Sequence, residues 1–275
     1  SQKFEGQMLQ HLAKGTSSAK STTLSFWCKS NLTSTFTINF IDQDNTRMFS
    51  TSYSLASANT WEKITINVPA DTTGALDNDN ASSYRINWNL QAGTDKTGGA
   101  LTTAWEAQAE GDRAVGQTNF YSSTDNNWYI TGVQWEVGDA ATDFERLPHD
   151  VQLTRCCRYY WKPVQGNVST SEYVGLGDFY ASNQVDTDFR HITPMRTQPT
   201  LDQGTGTDYY KYYYGQTADG TVDGSWTYWI GNEHISSIYA TASDAVGTSN
   251  AGKACRIIAQ TTGGANAYIA LNAEL

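Results

Sequence analysis

Trp88, Trp105, Tyr121 and Trp128, with Asn127 beside the last and Asn87, Asn89 and Gln117 close by, form the first group whose residue types could do chemistry. That chemistry is recognition of a neutral polar ligand. A flat ring stacks on the C–H face of a sugar while amides and carboxylates bond its hydroxyls, and by analogy with base stacking each ring contributes roughly 1–3 kcal/mol. A tryptophan in a sandwich more often packs inward, and Trp88 shares a strand face with Ile86 and Leu90, which places it toward a core. The second group is the run Tyr209-Tyr210-Lys211-Tyr212-Tyr213-Tyr214. Consecutive residues on a strand point to opposite faces, so one row of rings packs inward while the other presents hydroxyl-tipped rings outside. Tyr210, Tyr212 and Tyr214 are the candidates for ligand contact, although a subunit interface uses the same chemistry. Trp226, Tyr228 and Trp229 pose the same choice.

Little in the chain points to catalysis. His11, His149, His191 and His234 make no His-Glu-x-x-His pair, and there is no Gly-x-Ser-x-Gly elbow or phosphate-binding glycine loop. Glycoside hydrolysis needs only two carboxylates, and Glu5, Glu62, Glu106, Glu136 and Glu145 are available, but no spacing pairs them. Asp42-Gln43-Asp44-Asn45 and Asp77-Asn78-Asp79-Asn80 hold enough oxygens for a structural Ca²⁺, yet both lack the twelve-residue EF-hand loop and read better as turns. No cofactor is called for. The net charge of -10 opposes nucleic acid and anionic lipid, which need clustered Lys and Arg. The cysteines Cys28, Cys156, Cys157 and Cys255 have no metal spacing and are expected as free, mostly buried thiols, with Cys156 and Cys157 alternating in a strand. No stretch has the length of a membrane span, and Ser1 to Lys20 lacks a signal-peptide core, so synthesis in a reducing cytoplasm is expected.

The elements that must position these residues are strands. Leu24, Phe26 and Cys28 alternate with Ser25, Trp27 and Lys29; Ile64, Ile66 and Val68 with Thr65 and Asn67; Tyr84, Ile86, Trp88 and Leu90 with Arg85, Asn87 and Asn89; Val133, Trp135 and Val137 with Gln134 and Glu136. Phe36 to Ile41 adds another. The second half predicts strands over 155–162, 173–180, 189–194, 209–214, 226–230, 235–240, 254–259 and 267–271. A short helix is expected over Ala104 to Ala109, with Thr103 as N-cap and Glu106 in the capping box, and one helical turn over Asp150 to Leu153. The absence of a long helical period, with charged residues at 17% and aromatics at 12%, predicts an all-β protein of two antiparallel, jelly-roll-like β-sandwich domains in tandem, residues 1–150 and 151–275.

The segment Gly132-Val133-Gln134-Trp135-Glu136-Val137-Gly138, continuing through Ala141-Thr142-Asp143-Phe144-Glu145 to Arg155-Cys156-Cys157-Arg158-Tyr159-Tyr160, resembles bacteriophage tail-fibre and receptor-binding proteins. Phe4-Glu5-Gly6-Gln7, Leu24 to Ser30, Asn59 to Lys63 and Asp71 to Gly74 are similar to successive strands and turns of their carbohydrate-binding-module-like jelly roll. Pro194 to Leu201 and Leu271 to Leu275 are similar to the domain that often follows it. Trp135 and Asp143 depart from the usual aliphatic residue and proline. The resemblance implies a virion appendage, commonly a homotrimer, that contacts other virion proteins and attaches to host cell-surface polysaccharide without catalysis. It also implies further strands upstream of Phe4. A purely structural virion protein and a polysaccharide depolymerase are the competing expectations.

Overall fold

Alternating polar and apolar residues generate the architecture. In the computed structural model, which describes residues 1–214, 220–222, 225–242 and 251–275, the chain divides into two compact units, Ser1–Arg146 and Leu147–Glu274. Each is an all-β sandwich of antiparallel sheets.

In the first unit a five-stranded sheet runs β1 (Gln2–Glu5), β6 (Ser82–Asn89), β3 (Thr35–Asp42), β4 (Arg47–Ser54), β7 (Glu106–Ala107) in spatial order. A three-stranded sheet, β5 (Glu62–Val68), β2 (Thr22–Ser30), β8 (Trp128–Val137), faces it. Leu24, Phe26 and Ile66 of the small sheet meet Phe36, Ile38, Phe40 and Ile86 of the large one in a single core. The other face of β3 is buried too, because the segment after β6 straps across it. Gln117 Oε1 accepts from the Thr37 amide at 2.8 Å, and Asn39 Nδ2 donates to the Arg113 carbonyl at 2.8 Å. Asn89 Nδ2 donates to Asn39 Oδ1 at 2.7 Å.

A buried ionic cluster closes one part of this unit. The Lys14 ammonium is bonded to Asp42, lies 2.9 Å from Asp71, and donates to the Thr73 and Gly74 carbonyls. Arg47 donates twice to Asp71, at 2.8 and 3.0 Å. The two acidic loops considered for calcium are built from side-chain-bonded turns. Asp42 accepts from the Asn45 amide at 3.0 Å, Asp44 from the Asp77 amide at 2.9 Å, and Asp79 from the Ala81 amide at 2.9 Å.

The second unit opens with α1 (His149–Cys157), started by Pro148, with Asp150 in its first turn and Arg155 in its last, charges that complement the helix dipole. A three-stranded sheet, β12 (Thr200–Gln203), β18 (Tyr268–Asn272), β9 (Tyr160–Gln165), packs against a seven-stranded one. The larger runs β14 (Gly220–Val222), β13 (Tyr210–Tyr213), β17 (Ala254–Ala259), β10 (Glu172–Ala181), β11 (Gln184–Arg190), β16 (Ile235–Thr241), β15 (Thr227–Gly231). Val164, Ile269 and Leu271 meet Phe179, Val185, Ile238 and Ile257 between the layers.

Three elements differ from expectation. Residues 155–157 belong to α1 rather than to a strand, so Cys157 is buried and Cys156 exposed by the angular step of a helix. Ala104 to Ala109 is not helical: Glu106 and Ala107 pair with Met48 and Arg47, and the Trp105 indole donates to the Pro69 carbonyl at 2.8 Å. Tertiary pairing overrides the local capping pattern there. The strand expected over 189–194 lies earlier, as β11, with Val185 and Phe189 inward and Asp188 and Arg190 exposed.

Candidate functional site

The residues singled out from sequence do not converge on one surface. Tyr210 and Tyr212 are corrected: both are 0% exposed. Tyr210 donates to the Tyr268 carbonyl at 3.2 Å and meets Trp226 edge-on at 5.4 Å, while Tyr212 meets Phe179 at 5.2 Å. The alternation was legible and so was its phase: Lys211, a residue type that is rarely fully buried, marks the row of Tyr209, Lys211 and Tyr213 as the outward one. Tyr214, just past β13, is exposed and meets Phe179 edge-on at 5.7 Å. Trp226 is buried, whereas Trp229 is exposed and meets Tyr180 at 5.1 Å and Tyr239 at 6.4 Å.

In the first unit Trp105 is half-buried, tied to Pro69, with the Lys14 ammonium 5.2 Å from its ring centroid. Tyr121 is exposed and its ring meets Phe120 edge-on at 5.5 Å. Asn127 is a turn residue whose amide donates to Asn31 Oδ1 at 2.9 Å and whose carbonyl accepts from Ser30 Oγ at 2.6 Å. Asn89 and Gln117 serve the strap described above. Trp88 and Trp128 do share a site, an open groove of about 680 Å³ along the inner face of β8. Its walls are Phe4, Leu24, Ile86, Leu90, Ile130, Val133 and Trp135, with only Ser1 and Gln2 to supply polar atoms besides the indoles. A sugar there would lose the hydration of its hydroxyls without replacing it, which makes the groove a poor glycan site.

The opposite face of the same small sheet has the composition a glycan needs. Strand register sets its outward residues in rows. Lys29 of β2 lies opposite Tyr129 of β8, and Trp27 lies between Lys63 of β5 and Thr131 of β8. Trp27, Trp61 and Tyr129 are 43%, 41% and 50% exposed. The Lys29 ammonium stands 5.3 Å from the Trp61 centroid and 5.0 Å from that of Tyr129, bridging the two rings by cation–π contact.

The segment after β8 folds back onto this face, and the residues of the Gly132–Glu145 motif have identifiable tasks in it. Gly132 has φ +57° and makes a β-bulge, two residues of β8 opposing Phe26 alone. The bulge reverses the alternation, so Trp128 and Ile130 before it and Val133 and Trp135 after it all face the groove. A Cβ on Gly132 would lie 3.3 Å from Trp27 Cδ1 and 3.9 Å from Phe144 Cδ2, so the glycine lets both rings settle over the backbone. Gln134 Nε2 donates to Thr142 Oγ1 at 2.9 Å, and Gln134 Oε1 accepts from the Glu145 amide at 2.7 Å. Glu136 accepts from the Thr142 amide at 2.9 Å and its hydroxyl at 2.7 Å. The Gln134 amide, followed by these Thr142 donors, holds the Glu136 carboxyl below the usual carboxylate range.

Sequence reading passed over Trp27, Trp61 and Tyr129. The signal was present in Trp27, an aromatic ring on the polar side of the Leu24-Phe26-Cys28 alternation. No protein-family model, curated protein or solved structure matches the chain.

Proposed function

We propose that this chain is part of a bacteriophage virion appendage, a tail fibre or receptor-binding protein, which holds a host-surface glycan on the outer face of the β5–β2–β8 sheet without catalysis. The observation that carries the reading is the set of exposed rings Trp27, Trp61 and Tyr129 on one sheet face, with Lys29, Lys63 and Thr131 as polar companions. Rings supply stacking area at low entropy cost, and the polar side chains supply hydroxyl and ring-substituent partners. The phage resemblance of the Gly132–Glu145 motif, whose glycine and Phe144 help build this face, supplies the context. Repetition in a homotrimer would raise the avidity of a weak single site by about 10²–10⁴ where geometry permits.

A non-catalytic role is supported by the state of the carboxylates. Glu62 accepts from the Ala56 and Ser57 amides at 3.1 and 2.7 Å, and Glu136 is held by Thr142 and Gln134, so both are engaged in fixing backbone. The reading is tested by adsorption of the assembled protein to purified bacterial surface polysaccharide. Trp27→Ala and Tyr129→Ala are expected to weaken adsorption at least about tenfold while assembly and melting temperature stay unchanged. Loss of assembly instead would identify the face as a subunit interface. Release of new reducing ends would identify a depolymerase.

A further inference from the structure

Lys29 and Lys63 stand diagonally across the outer face of β5–β2–β8, on either side of Trp27, in a chain whose formal charge is -10. Among the described residues neither ammonium forms an ion pair. Glu62 and Glu136, which neighbour this face, have their oxygens committed to the Ala56, Ser57 and Thr142 donors. Both carboxylates keep their charge, and Glu136 feels Lys63 across the face, so Lys29 and Lys63 are the cationic members of a mixed patch. Lys29 is also preorganised. Contact with two rings holds its ammonium between the stacking surfaces, where a long exposed side chain would otherwise sample many rotamers.

We infer that the ligand of this face is an anionic saccharide, one whose ring stacks on Trp27 and Tyr129 while a carboxylate or phosphate substituent meets Lys29 and Lys63. The inference rests on the proposed glycan-binding role and narrows it to a substrate class. A neutral sugar would use the same rings and offer the two ammonium groups only neutral hydroxyl acceptors. An anionic substituent gains charge-assisted hydrogen bonds from them, which are shorter and stronger than neutral ones. Such a preference weakens with added salt, because ions screen exposed charges over a length of about 8 Å at physiological strength.

The test is a titration of the assembled protein against matched oligosaccharides: oligogalacturonates and their carboxyl-reduced forms, and phosphorylated chains and their dephosphorylated forms. Within such a pair the anionic member is expected to bind about tenfold tighter at low salt, and the gap should narrow as salt is raised. The double variant K29M/K63M should bring the pair to within about twofold, chiefly by lowering the anionic member's affinity, and W27A should weaken both members. Methionine preserves the aliphatic stem, and an unchanged melting curve shows that the variant is folded. Equal or tighter binding of the neutral members would overturn the anionic assignment and leave the glycan reading standing. An unaltered anionic preference in K29M/K63M would also overturn the assignment. Binding of neither member to the wild-type protein would overturn both.

Discussion

Trp27 shows how an exposed ring can be visible in a sequence and still be missed. Its place was predictable, since Leu24, Phe26 and Cys28 fix one face of β2 as the core and leave Trp27 on the opposite face with Lys29 and the buried Ser25. Its importance was not, because Trp61 and Tyr129 join it only through strand register, and register is a property of the assembled sheet. Tyr210 and Tyr212 show the converse. A dense aromatic run drew attention as a surface, yet its inner row fills the second core. The cysteines give a sharp test at this scale. Burial pushes the Cys28 thiol up to about 11 and Cys255 to about 12, raises Cys157 as well, and leaves Cys156 exposed. Thiolate is the reactive form. A maleimide at neutral pH is expected to label Cys156 rapidly and the other three only on unfolding, as read by mass spectrometry. Rapid native labelling of Cys28 or Cys255 would contradict the burial described.

At the scale of elements, strands with one strict apolar face were legible, and those without it were not. β4 escaped notice because Ser50, Thr51, Ser52 and Ser54 blur the alternation, and its residues are ordered by pairing with β3 along its full length. The β7 pairing likewise depends on a partner that local pattern does not name, whereas the helical turn expected over Asp150 to Leu153 lies inside the longer α1. The β8 bulge was hidden for a different reason: one extra residue shifts the phase, so Ile130 and Val133 face the same groove although their spacing is odd. Gly132→Ala tests the bulge directly. A side chain at φ +57°, with its Cβ 3.3 Å from Trp27, is expected to destabilise the first unit by about 1–3 kcal/mol and to displace the Trp27 ring. Chemical denaturation measures the first effect and tryptophan fluorescence the second. A neutral substitution would mean the left-handed turn is not required there.

For the whole molecule, the all-β class followed from composition and period, whereas the gathering of Lys29 and Lys63 beside exposed rings could not be read from net charge. Acid stability links the titrating groups to the units that contain them. In the second unit, burial holds His191 below its ordinary value of 6.5, while Nδ1 donates to the Glu233 carbonyl at 2.7 Å and Nε2 accepts from Ser236 at 2.9 Å. The unfolded imidazole takes up its proton first, so this contribution is complete above about pH 6.5 and is lost as pH falls toward the folded value. In the first unit, burial opposes ionisation of Asp71, but Arg47 and Lys14 outweigh it and keep the carboxyl below 3.8. Its contribution is complete above about pH 4 and is lost only as pH falls further, through the folded value. Calorimetry on a pH series is therefore expected to show the second unit weakening first on acidification, with H191Q removing that early step. Simultaneous weakening, or an unchanged early step in H191Q, would contradict this assignment. The most direct measurement of all is adsorption of the assembled wild-type protein and W27A to bacterial surface polysaccharide. Binding by the wild type and a loss of at least about tenfold in a folded, assembled W27A is expected. Equal adsorption by both proteins would contradict the placing of the glycan on this sheet face.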